Sequence, residues 1–131
     1  MKRILFAFSL ILLTASMASA QQKEASIAVV GEAIHDFGDI NETAGPVTHS
    51  FKIKNDGEVA LVVTKVVASC GCTTPDWTKE PIASGNTGDI KVTFDPTNRP
   101  GPFTKTISVY SNGKTGSFIL TIKGNVIPKT N

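Results

Sequence analysis

Cys70 and Cys72 stand one residue apart in the string Ser69-Cys70-Gly71-Cys72-Thr73 and are the only cysteines of the chain. Two sulfurs at that spacing admit three chemistries. Oxidised, they close a ring of a few residues. Loop-closure stabilisation grows with loop size, so such a bond suits redox exchange better than stapling. As thiolates they form a two-sulfur clamp for a soft ion such as Cu(I). As plain thiols they are two small residues fit for a buried turn. In a straight strand, residues i and i+2 lie roughly 6.6 Å apart. A disulfide needs Cβ atoms about 3.5–4.5 Å apart, so a bridge requires a bend, and Gly71 is the residue expected to supply it.

The other groups able to do chemistry are few. His35 and His49 are the only histidines, and with the thiols they would complete a Cys₂His₂ set, but without a recognisable zinc-ligand spacing. His49 falls in phase with Phe51 and Ile53, which predicts an inward or sheet-edge imidazole held by a hydrogen bond. Trp77, the sole tryptophan, follows the cysteines closely and is a candidate partner contact, either as an exposed anchor or folded back over the core from a loop. No G-x-S-x-G, H-E-x-x-H or phosphate-cradling glycine loop is present, and Asp39, Asp56 and Asp95 sit at turns, where a carboxylate bonds its own backbone. The chain is not expected to be an enzyme.

These residues need a scaffold, and its first twenty residues read as an address. Lys2 and Arg3 precede an apolar run from Ile4 to Leu13, and Ala18-Ser19-Ala20 supplies small residues at a cleavage site before Gln21. The run is too short for a membrane span, which takes about 20 apolar residues. The expectation is a signal peptide over residues 1–20 and export to the periplasm or beyond. No membrane insertion is expected once the signal is removed. Both methionines, Met1 and Met17, leave with it, so the mature chain holds no thioether copper site. Lys2 and Arg3 leave too, and the remaining cations balance the 11 acidic residues. Such a chain has no field to steer nucleic acid. Residues 21–131 suit one domain.

Beyond Gln21 the chain shows short β-branched and aromatic runs broken by Gly, Pro, Asn and Asp. That pattern predicts an all-β fold. Strands are expected over Ile27–Val30 with Ala33–Phe37, Val47–Lys54, Leu61–Ala68, Asp89–Phe94, Phe103–Tyr110 and Ser117–Val126. Leu61–Ala68 is nearly all apolar and reads as a central strand covered on both faces. Thr73–Gly88 reads as the longest irregular stretch, and Asp56-Gly57 as a turn needing positive φ. Six or seven strands at this spacing predict an immunoglobulin-like β-sandwich of about seven strands, with a closed barrel as the alternative.

Three groups of residues carry a family resemblance. They are Phe37-Gly38-Asp39-Ile40; then His49-Ser50-Phe51 with Asn55-Asp56-Gly57 and Leu61; then Ser69-Cys70-Gly71-Cys72-Thr73. With Ser111-Asn112 and Ile122-Lys123-Gly124-Asn125-Val126 they resemble the bacterial Domain of Unknown Function 1573 family over about Ile34 to Val126. One departure is Ala83-Ser84-Gly85-Asn86, where that family has a Pro-Gly turn. The resemblance implies an exported immunoglobulin-like domain, distantly similar to major sperm protein and ASPM–SPD-2–Hydin domains, and it supplies no substrate. The expected function is a binding or scaffolding module for a protein or cell-envelope component. The alternatives are a periplasmic thiol-redox or Cu(I)-handling protein working through Cys70 and Cys72, and a strand-donating chaperone-like domain.

Overall fold

The computed structural model describes residues 21–130; the expected signal peptide lies outside them. Eight strands follow in order: β1 (Ile27–Val30), β2 (Ile34–Asn41), β3 (Val47–Asn55), β4 (Val63–Ala68), β5 (Thr73–Trp77), β6 (Thr87–Phe94), β7 (Gly101–Ser111) and β8 (Ser117–Ile127). They form two four-stranded sheets, β1-β3-β6-β5 and β2-β8-β7-β4. All neighbours are antiparallel except β2 and β8. The molecule is a β-sandwich, with one strand more than the sequence pattern predicts.

Alternation builds the core. Side chains two apart on a strand share a face, so Phe51 and Ile53 of β3 lie inward, in register with Ile90 and Gly88 of β6. From the other sheet Ile107 and Val109 of β7 meet the same interior, beside Leu120 and Ile122 of β8; all four are fully buried. A side chain of this size contributes about 1.5–3 kcal/mol on burial, which is why these two strand pairs form the centre of both sheets.

Four expectations need correction. Leu61–Ala68 neither lies centrally nor is covered on both faces: β4 begins at Val63 and is the edge of its sheet, and Val67 faces outward on the uncovered side although the run is apolar. Thr73–Gly88 is not all irregular, because Thr73–Trp77 pairs with β6 as an edge strand that tolerates Pro75. Gly38-Asp39 does not end a strand; it is a bulge inside β2. Gly57 is not among the positive-φ residues. A Cβ there would instead collide with the backbone of Glu24, Ala25 and Ser26. Close approach, not turn geometry, requires that glycine.

Candidate functional site

The cysteine string is the corner at which the chain leaves one sheet for the other. β4 ends at Ala68 and β5 starts at Thr73, and the Thr73 N–H donates back to the Cys70 carbonyl at 3.3 Å to close a turn. Both flanks are clamped. The Ser69 N–H donates to the Thr106 carbonyl at 2.9 Å, and the Thr106 N–H to Ser69 Oγ at 3.1 Å, tying the corner to β7. On the other side the Asp95 N–H donates to the Cys72 carbonyl at 2.9 Å, tying it to the end of β6. The turn brings the two Cα atoms to 5.3 Å, and a disulfide joins Cys70 to Cys72. Gly71 bends there without positive φ and has open space where a Cβ would stand. The bend is an ordinary turn, not a glycine-only conformation.

The two sulfurs differ in their surroundings. Cys72 is buried at 6% exposure among the core residues, whereas Cys70 is half-buried. The Cys72 N–H points at Cys70 Sγ from 3.2 Å, and Thr73 Oγ1 lies 3.7 Å from each sulfur. Beside them runs an open groove of about 380 Å³, lined by the cysteine turn, Phe94, Phe103, Arg99 and Lys105. Phe94 and Phe103 stack at 4.0 Å between ring centroids and give the groove an apolar wall. Lys105 is in phase with inward Ile107 and Val109 but sits where the sandwich ends. Arg99 comes from the β6–β7 loop. Asp95 shapes that loop by accepting the Thr97 N–H at 3.0 Å. Hydrogen bonds from Thr97, with help from the Arg99 charge, hold the Asp95 carboxyl below its ordinary range. Sequence reading missed both cations, since their groove exists only once three elements meet. The signal available for Lys105 was its inward phase.

The remaining candidates are not gathered here. His35 and His49 stack face to face across the two sheets, 3.6 Å apart, with Phe37 and Phe51 packed edge-on at 4.6 Å. The expected hydrogen bond is replaced by ring stacking, and a Cys₂His₂ set is not formed. No group of three or more His, Cys, Asp or Glu side chains converges as a metal site among the described residues. The bonded cysteines offer no thiolate, so a Cu(I) clamp requires the reduced pair. Burial, then the neighbouring His35 charge, pushes the His49 pKa down. Trp77 lies in strand β5 rather than a loop, about 13 Å along it from Thr73 at the usual rise. It packs half-buried against the core, with the Lys79 ammonium 2.9 Å from its ring centroid.

A second feature lies on the outer face of the β2-β8-β7-β4 sheet. Six large apolar side chains stand exposed among the described residues. Four of them, Ile34, Val67, Tyr110 and Ile119, sit on outward positions of this sheet, since their neighbours His35, Val66, Val109 and Leu120 face inward. Register makes them one patch. Val67, Ser108 and Ile119 lie in a row across β4, β7 and β8. Tyr110 and Ile34, which is opposite Thr121, flank Ile119 on the diagonals. Ile34 and Ile119 are 55% and 52% exposed.

The adjacent edges differ as well. On β5, the pairings of Cys72 with Asp95 and Thr78 with Asp89 turn the even-numbered residues toward β6 and the odd ones away. Those outward positions offer no donor: the Thr73 N–H serves Cys70, Pro75 has none, and the Trp77 N–H donates to Asp76 Oδ1 at 2.9 Å. That edge is closed to strand addition. On β4 the Ser69–Thr106 pairing directs the Val66 and Ala68 backbone away from β7, and no such capping covers them among the described residues.

The family model "Protein of unknown function (DUF1573)" matches residues 28–126. No curated protein matches the chain in sequence. Among solved structures it is similar to a protein of unknown function from Porphyromonas gingivalis W83, with a TM-score of 0.67 and 14% identity over 79% of this chain and 47% of that one. The chain thus spans about half that protein's length. It is also similar to an ASH / PapD-like domain of human CEP192, with a TM-score of 0.64 and 8% identity over 89% of this chain and 97% of that one. For the YadV chaperone the TM-score is 0.53, at 15% identity over 80% of this chain and 53% of that one. At these identities the likeness is one of fold, immunoglobulin- or PapD-like.

Proposed function

The chain belongs to the DUF1573 family, and from that premise we propose that it is an exported binding module that docks a protein partner on the outer face of its β2-β8-β7-β4 sheet. The observation carrying this reading is the contiguous patch of Ile34, Val67, Tyr110 and Ile119. Exposed apolar surface costs free energy in water, and contiguous patches of it mark interaction sites. The partner chemistry follows from the surroundings. The patch reaches β4, whose outward backbone is uncapped, while the neighbouring β5 edge is closed. An extended segment with apolar side chains on alternate positions would pair with β4 and lay them beside Val67. They would continue the row that runs through Ser108 to Ile119, which the rest of the partner would cover. Export rests on the residues 1–20 leader and places that partner in the cell envelope.

The test is photo-crosslinking in the producing cell, with the crosslinker introduced at Ile119 or Tyr110 and, as controls, at the outward positions Ser50 and Lys91 of the other sheet. Discrete adducts confined to the first pair support the reading. Absence of adducts, or equal yield on both sheets, removes it.

A further inference from the structure

We propose that the Cys70–Cys72 disulfide is an exchange site for anionic client dithiols, with Cys70 as the attacked sulfur and Cys72 as the leaving one. The proposal does not depend on the outer-face surface. It stands on the asymmetry of the corner. Thiol–disulfide exchange needs a thiolate to reach one sulfur of the bond. Cys70 is half-buried beside the open groove, while Cys72 is 6% exposed within the core. A client therefore reaches Cys70. Arg99 and Lys105 line the same groove, and cations near the attack path draw a thiolate in and stabilise the developing negative charge. Thr73 Oγ1, 3.7 Å from both sulfurs, can donate to whichever carries charge. The Cys72 N–H, 3.2 Å from Cys70 Sγ, supplies a further donor to Cys70 once it is released.

The step balances as a two-electron transfer. A client thiolate attacks Cys70 Sγ, the Cys70–Cys72 bond breaks, and Cys72 departs as a thiolate. The client's second thiolate then attacks the client sulfur of the mixed disulfide, forming the client's own disulfide and expelling Cys70. The client loses two electrons and the pair gains them. The two protons of the client thiols end on Cys70 and Cys72. Run backwards, reduced Cys70 attacks a client disulfide and Cys72 resolves the intermediate. The short ring suits this use, because it adds little chain-entropy stabilisation that reduction would forfeit. The β7 and β6 clamps on either side hold the corner in place while the bond opens.

The experiment follows mixed-disulfide formation by mass spectrometry, using oxidised glutathione as an anionic probe and cystamine as a cationic one. Reduced Cys72→Ser protein should accumulate one glutathione adduct at Cys70, and Cys70→Ser protein should form its adduct at least about tenfold more slowly. In the Cys72→Ser background, glutathione should outpace cystamine, and adding Arg99→Ala with Lys105→Ala should erase that preference, as high salt should. Should either cysteine variant fold poorly, reduced wild-type protein reports the same asymmetry: iodoacetamide should label Cys70 first and leave Cys72 protected. Equal rates at the two cysteines would overturn the assignment of attacked and leaving sulfurs. A probe preference that survives loss of both cations would overturn the anionic client class. Inertness of the wild-type pair toward both reduced and oxidised glutathione would overturn the exchange site altogether.

Discussion

Replacing Asn55 with alanine should destabilise the fold about as much as removing a core phenylalanine, although Asn55 brings no apolar surface. Its side chain is fully buried at the end of β3. Nδ2 donates to the Val59 carbonyl at 2.7 Å and the Ile82 carbonyl at 2.9 Å; Oδ1 accepts the Gly57 N–H at 2.9 Å and the Ser26 N–H at 3.4 Å. Those four contacts join the β3–β4 connection, the segment before β1 and the segment before β6. The Ile82 carbonyl keeps a second donor, the Leu61 N–H at 2.8 Å, and the Ser26 bond is long. The Gly57 N–H and the Val59 carbonyl, both in part-buried bonds, lose their side-chain partner, at up to about 1–3 kcal/mol each. With the lost packing, the expected cost is about 3–5 kcal/mol, matching the ~3–5 kcal/mol for Phe51→Ala. Urea denaturation at neutral pH measures it, with Asp56→Ala as a control. Asp56 pairs with Lys54 at 3.8 Å on a half-exposed surface, and such pairs are worth less than about 1 kcal/mol. Asn55→Asp should be at least as damaging as alanine at pH 7, because a carboxylate would face two carbonyl oxygens. It should recover partly in acid, where a protonated carboxyl donates. If Asn55→Ala lies within about 1 kcal/mol of wild type, water or backbone shifts replace these bonds and the pinning role is refuted.

Acid should weaken the fold through the stacked imidazoles. The folded-state His49 pKa is depressed, so below the ordinary value of about 6.5 the unfolded chain binds more protons, and stability falls as pH drops from there to the folded pKa. Denaturation midpoints at pH 7.5 and 5.5 should differ for wild type and converge for His49→Phe, which keeps a ring in the stack; an unchanged pH slope in that variant would count against the pair. Gly124→Ala should cost about 1–3 kcal/mol by overpacking, since its Cβ would stand 2.9 Å from both the Gly38 carbonyl and the Phe103 ring. A melting temperature equal to wild type would mean that the β2 bulge yields freely.

Strand phase was legible from the chain alone because it is local. The alternation in Val47–Asn55 and Thr87–Phe94 fixes which side chains share a face before any partner strand is known, and it places Phe51, Ile53, Ile90, Val92 and Phe94 in the core correctly. That Cys70 and Cys72 have only each other to pair with in the chain is likewise a property of the sequence. Which strands lie at an edge is not local. Leu61–Ala68 is nearly apolar on both phases, and only the assembled sandwich puts its strand at an edge and turns Val67 to the uncovered outer face. Pro75 argues against a strand until β5 proves to be an edge, where a missing N–H costs nothing. Asn55 reads as one more turn residue until two segments distant in sequence join its own turn at its amide. The groove beside the disulfide depends on the same kind of convergence, since Arg99 and Lys105 meet the cysteine turn only where the end of β6 and the start of β7 lie beside it. Periodicity records what each residue faces relative to its neighbours along the chain. The charges around Cys70, the stacking of His35 on His49, and the closing of one edge beside an open one come from long-range pairing between strands and sheets.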